Sequence, residues 1–145
     1  MKVLMQRVSS ARVDINGECA GAIDQGLLLL IGIEKHDNEH TLEKMAHKVL
    51  NYRIFADSEN KMNLSVKDIQ GGVLAVSQFT LAAETHKGLR PGFSVAALPH
   101  VAKSLYDEFV TLLRNEHSNI ATGQFGADMQ VSLVNDGPVT FMLEL

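Results

Sequence analysis

Ser77-Gln78-Phe79-Thr80-Leu81 sets two hydroxyls and a carboxamide within four residues, where an apolar run that begins at Val73 gives out. A strand running into a glycine-containing loop is a good seat for chemistry, because the rigid element fixes the groups and the loop gives access. The Ser77 and Thr80 hydroxyls and the Gln78 amide suit a polar substrate. The backbone N–H groups of Phe79 and Thr80 suit a developing oxyanion. The same residues also fit a strand that simply ends in a polar turn. A second segment, Asn135-Asp136-Gly137-Pro138-Val139-Thr140, reads as a turn between two strands. Proline cannot donate to a ladder, so Pro138 marks a break or bend. The trans preference of an X–Pro bond is only about 0.5–1 kcal/mol, so a cis Gly137-Pro138 bond is accessible and would offer its flanking carbonyls as acceptors. An ordinary trans-proline turn fits the residues as well.

Other chemistries lack their residues. There is no Gly-x-Ser-x-Gly elbow, no phosphate-binding P-loop, no His-Glu-x-x-His and no cysteine pair for zinc. His36 and His40 are four apart but have no third ligand at a suitable spacing, and a solvated helix face is the simpler reading. Neither a metal nor a cofactor is expected.

The elements that must position these segments follow from pattern. Val3–Val8 reads as a strand. Val13–Ile15 and Glu18–Ile23 flank Asn16-Gly17, the strongest short hairpin signal, since both residues tolerate positive φ. Leu27–Ile31 is a continuous apolar run of strand length, which predicts burial on both faces. Leu42, Met45, Ala46, Val49 and Leu50 recur at helical spacing, with Asp37 or Asn38 as the cap. Arg53–Phe55 and Met62–Val66 are short strand candidates, and Val73–Phe79 is a long one. Thr80–Ser94 reads as loop. Pro99 suits the first turn of a second helix, whose buried stripe is predicted as Val101, Ala102, Leu105, Phe109, Leu112 and Leu113. Met129–Val134 and Val139–Leu145 complete the strands, the latter placing Val139, Phe141, Leu143 and Leu145 on one face. Strands outnumber helices without strict βαβ alternation. The predicted class is therefore α+β: mostly antiparallel sheets, curled or barrel-like, with two main helices packed on one side. Residues 1–145 are expected to form one domain. A terminal apolar strand left as a sheet edge invites pairing, so a homodimer is expected.

Composition narrows the setting. The chain is 46% hydrophobic and 21% charged, ordinary for a globular protein. Its single cysteine, Cys19, cannot form an internal disulfide, which fits a reducing compartment. The most apolar run is far shorter than the roughly 20 residues of a membrane span. No membrane partner and a cytoplasmic location are expected. A formal charge of −4 and a pI near 5.8 argue against holding nucleic acid through a long basic surface, DNA included, but leave room for a site that touches one RNA end.

Taken together, the two segments resemble the D-aminoacyl-tRNA deacylase family, which carries a Ser-Gln-x-x-Thr-like segment and an Asn-x-Gly-Pro-x-Thr segment near the C-terminus. The likeness runs end to end through Gln6-Arg7-Val8, Tyr52-Arg53-Ile54-Phe55, Lys61-Met62-Asn63-Leu64, Gly88-x-Arg90-Pro91 and Met129-Gln130-Val131-Ser132-Leu133-Val134. Gly92 departs from it, standing where the pattern leads one to expect serine. The resemblance implies a carboxylic ester hydrolase that releases free D-amino acid and tRNA, a chiral proofreading step in translation quality control. It implies a homodimer with two active sites at the interface, into which a cis Gly137-Pro138 of the partner copy reaches. Its carbonyls would hold the substrate α-amino group, so that an L side chain collides and a D side chain points away. Glycine has nothing to clash, so glycyl-tRNA should also be accepted.

On this reading Ser77, Gln78, Phe79 and Thr80 are the catalytic segment, with Asn135, Gly137, Pro138, Arg7 and Met129 at the substrate. Arg7 would brace the Gly-Pro loop through its several donors, and Met129 would pack beside it. Lys87 and Arg90 on the Thr80–Ser94 loop are candidates for tRNA phosphate contact, and the expected partner is the aminoacyl-tRNA 3′ end. For the ester hydrolysis, water attack with Thr80 positioning and the ribose 2′-hydroxyl assisting is favoured over a Thr80 nucleophile, which lacks an evident base. Rival readings are a non-catalytic RNA-end or protein-binding module, an acyl hydrolase with a threonine nucleophile, and a structural dimer whose Gly-Pro turn only shapes an edge.

Overall fold

The computed structural model describes residues 1–145. Its chain order is β1 (Lys2–Ile15), β2 (Glu18–Ile23), β3 (Gly26–Gly32), α1 (Glu39–Asn51), β4 (Phe55–Ala56), β5 (Met62–Leu64), β6 (Gly72–Ser77), α2 (Pro99–Glu116), β7 (Ile120–Thr122) and β8 (Gln130–Glu144). Asn16 and Gly17 take φ of 52° and 83°, the left-handed pair that a two-residue hairpin requires. At the start of α1 it is Asn38 that caps, its side chain accepting from the Thr41 N–H at 3.2 Å. Asp37 instead holds the Met1 ammonium at 2.6 Å and the Glu34 N–H at 2.7 Å. Pro99 opens α2 as expected.

Six strands form one curled sheet in the order β2-β1-β3-β6-β7, with β8 lying along β1; β4 and β5 pair separately. The long β1 is antiparallel to β2, β3 and β8, whereas β3, β6 and β7 are mutually parallel. The sheet is thus more mixed than the strand count suggested: α1 and α2 each carry a crossover between parallel strands. The parallel centre is where both faces are buried. Leu27, Leu29, Ile31, Val73 and Ala75 face the two helices, while Leu28, Leu74 and Val76 face a second core with Val8, Ala11 and Val13, formed where the sheet curls over. β2 meets β7 at Gly21, where a Cβ would stand 2.6 Å from the Thr122 carbonyl oxygen, so this close approach needs glycine.

Four expectations need correction. Val3–Val8 and Val13–Ile15 are one strand, because the chain bends through irregularities rather than a turn. Asn135–Thr140 is likewise no hairpin: it interrupts the single 15-residue strand β8 as a bulge. β6 ends at Ser77, and Phe79–Ala82 forms a 3-10 turn instead of continuing the strand. In α2, Val101 is 39% exposed, and Tyr106 and Val110 are buried in the stripe with Ala102, Phe109 and Leu113; Leu105 and Leu112 pack at its margin. Ile120–Thr122 adds a strand too short to show a period.

Candidate active site

The parallel pair β3 and β6 delivers the first segment. Ser77, paired with Ile31, is the last residue of β6, and the Gln78 N–H donates to the Ile31 carbonyl at 2.7 Å. The chain then turns: Leu81 N–H donates to the Gln78 carbonyl at 3.2 Å, and Ala83 N–H to that of Thr80 at 3.1 Å. Phe79 and Thr80 precede the first donor of this turn, so their N–H groups have no partner within it. Gly32 fixes where the turn lies. A Cβ there would come within 2.9 Å of Leu81 Cβ and 3.2 Å of the Gln78 carbonyl oxygen.

Beside the turn lies a cleft of about 440 Å³, bounded by Ser77, Gln78 and Phe79 on one side and by Ala102, Phe125 and Met129 on the other. Its lining contains no Asp, Glu, His, Lys, Arg or Cys. The Gln78 side chain donates to Thr80 Oγ1, so the hydroxyl already accepts a bond and has no basic group to take its proton. Phe79 is 59% exposed and packs against Phe93 with ring centroids 5.1 Å apart. α2 is anchored behind the cleft by the Tyr106 hydroxyl, which donates to the Ala75 carbonyl at 2.9 Å; burial pushes this hydroxyl up to about 12. It therefore stays a neutral donor at any ordinary pH.

The second segment is built from side chains. Gln6 pairs with Thr140 and Val8 with Asn135, so Asp136-Gly137-Pro138-Val139 stands opposite Arg7 alone. The Asn135 side chain closes the base of this bulge, accepting from the Val139 N–H at 2.9 Å and donating to Thr140 Oγ1 at 2.7 Å. Arg7 Nε reaches the Asp136 carbonyl at 3.2 Å and carboxylate at 3.1 Å, while Nη1 donates to the Ile54 carbonyl at 2.7 Å. The brace thus holds Asp136 rather than the carbonyls of Gly137 or Pro138. The Gly137-Pro138 bond is cis, and Gly137 has φ of 122°, where a Cβ would meet Val139 Cγ2 at 2.8 Å and Arg7 Nη2 at 3.0 Å.

Within one chain these two assemblies stay apart. Met129 joins Ser77–Phe79 at the cleft, but Thr80, one residue further round the turn, does not line it, nor do Arg7, Asn135, Gly137 and Pro138. Lys87 and Arg90 are exposed on the loop whose stem is the Glu84–Gly92 bridge. At Gly92 there is room for a Cβ, 3.5 Å from the Glu84 carboxylate; Ser94 donates its hydroxyl to that carboxylate instead. Phe125 and Ala127 were not foreseen as cleft walls. The available signal was an aromatic residue between Gly123 and Gly126, outside any periodic element. His36 and His40 are exposed, and His40 Nδ1 lies 3.9 Å from the Glu43 carboxylate.

Residues 4–144 match the family described as D-Tyr-tRNA(Tyr) deacylase. A D-aminoacyl-tRNA deacylase of Saccharophagus degradans is 66% identical over 145 residues, covering 100% of both chains. One from Pseudomonas paraeruginosa is 59% identical over 144 residues, 99% of each. A solved structure named c-Myc DNA Unwinding Element Binding Protein superposes with a TM-score of 0.96 at 42% identity, over 100% of this chain and 99% of that one. The curled sheet with two helices on one side is the fold these proteins share.

Proposed function

The chain belongs to the D-Tyr-tRNA(Tyr) deacylase family, and from that premise we propose that it hydrolyses the ester bond of D-aminoacyl-tRNA, releasing free D-amino acid and tRNA. The observation that carries this reading is the cleft at the end of β6, which is lined by Ser77, Gln78 and Phe79, adjoins a turn whose Phe79 and Thr80 N–H groups have no partner within it, and has no ionisable side chain in its lining. Such a site does not supply a nucleophile or a general base. It supplies shape and N–H groups, which suffice for a reactive ester that brings its own hydroxyl.

Water attacks the carbonyl carbon, the Phe79 and Thr80 N–H groups take the oxyanion, and the bond to the ribose oxygen breaks as that oxygen regains a proton. The ribose 2′-hydroxyl assists, and Thr80 positions. Removing one oxyanion donor typically costs about 10²–10³ in rate, so two main-chain donors are a sufficient catalytic device. Ser77 and Gln78 contact the polar end of the substrate.

Chirality is read by a second copy of the chain. Gly137 and Pro138 of the partner reach the cleft and hold the α-amino group, with Met129 beside them, so an L side chain is excluded and glycine is admitted. The separation of bulge and cleft within one chain supports this, as does the exposed outer side of β8, where Val134 and Met142 are open to solvent. Arg7 and Asn135 set the bulge. Lys87 and Arg90, on the exposed Glu84–Gly92 loop, meet tRNA phosphates outside the single-stranded 3′ end. The test is release of tyrosine from matched D- and L-tyrosyl-tRNA. Fast release from the D form alone is expected. Equal release from both removes the chirality reading, and binding without turnover returns the protein to a recognition module.

A further inference from the structure

Phe125 lines the candidate cleft and also a second cleft of about 450 Å³, which runs between α2 and the segment after β7. Its character is different. Only three of its ten lining residues are hydrophobic, so an apolar peptide has little to bury there. Lys103, Asp107 and Arg114 stand at i, i+4 and i+11 of α2, a spacing that puts them on one stripe of the helix. Lys103 and Arg114 are thus about 16 Å apart along its axis. Lys103 is paired with Asp107 at 2.6 Å, whereas no carboxylate lies within ion-pairing distance of Arg114. Thr122 and Gln124 add uncharged hydrogen-bonding groups opposite the stripe.

We propose that this groove carries the single-stranded 3′ end of the tRNA away from the ester, with Arg114 and Lys103 on its phosphates and Phe125 as the partition between the aminoacyl group and the nucleotides before it. The inference rests on the deacylase reading, since that reading puts the ester in the adjoining cleft. A polyanion leaving an apolar cleft needs a polar exit with cations spaced along it, and this groove offers a free Arg114 and a Lys103 that can exchange Asp107 for a phosphate, without a basic protein. It also meets the difficulty raised by the net charge of −4: two local cations are enough for a strand end.

The test compares Arg114→Gln, Lys103→Gln and their double variant with the unaltered protein, using D-tyrosyl-tRNA over a range of KCl concentrations. Expected is a rise in KM of about tenfold or more for the double variant at low salt, with kcat unchanged. The slope of log(kcat/KM) against log[salt] should flatten by roughly 0.7 for each phosphate no longer neutralised. Arg114→Lys should restore most of the KM. An active protein whose KM and salt slope ignore these substitutions overturns the docking alone, as does a fall in kcat with KM unmoved. So does a loss confined to Lys87→Gln and Arg90→Gln, which would put the strand on the opposite loop. If the unaltered protein does not hydrolyse D-tyrosyl-tRNA, the deacylase reading falls, and the docking with it.

Discussion

On the proposed reading, the end of β6 offers main-chain N–H donors to the substrate and the bulge of β8 offers carbonyl acceptors, but the two segments are held in different ways. β6 lies between two parallel neighbours, with both faces buried, and its exit turn is fixed by hydrogen bonds between main-chain atoms. The bulge lies at the sheet margin, opposite a single residue, and is fixed by the side chains of Arg7, Asn135 and Thr140. Side-chain replacement should therefore barely touch the first device unless it moves the backbone, and should readily loosen the second.

Substitution can break this contrast. The largest effect is expected from Gly32→Ala, which changes no group at the cleft but pushes a Cβ to within 2.9 Å of Leu81 Cβ. Displacing the turn by about an ångström should lower kcat on D-aminoacyl-tRNA by about 100-fold, while circular dichroism shows a folded protein; unchanged kcat would mean that the turn does not hold the oxyanion. Next comes Arg7→Ala. It frees the Ile54 and Asp136 carbonyls together, and charge-assisted bonds of this kind contribute about 1.5–3 kcal/mol each. The ratio of D to L turnover should fall by roughly tenfold, with the D rate largely kept; a drop in both rates at a constant ratio would make Arg7 a stability residue only. Smallest is Thr80→Ala. It removes only the hydrogen bond from Gln78, so kcat should fall by about 2–10-fold, the span of one neutral hydrogen bond. A folded variant that binds substrate but has no turnover would restore the nucleophile.

The sequence was most legible where one period or one residue type dominated. The Leu27–Ile31 run announced a strand buried on both faces, Asn16-Gly17 a tight hairpin, and Pro99 a helix start. Less legible was anything decided by pairing between distant segments. Local turn chemistry at Gly137-Pro138 is the same for a hairpin and for a bulge; only the continuous partner β1 decides that β8 runs on past it. The stripe of α2 was misjudged at Val101 because the first turn of a helix often lies beyond the core it enters. At the site, polar residues at a strand end drew attention, whereas Phe125 and Gly32 did not, since their roles come from what approaches them in space.

β2 comes close to β7 at Gly21, and the longest margin of the six-stranded sheet without a main-chain partner is the outward side of β8. In the proposed dimer, two copies that pair along it would each cover the other's longest open edge. Such an isologous contact would be self-limiting, whereas a head-to-tail contact would propagate into a fibre.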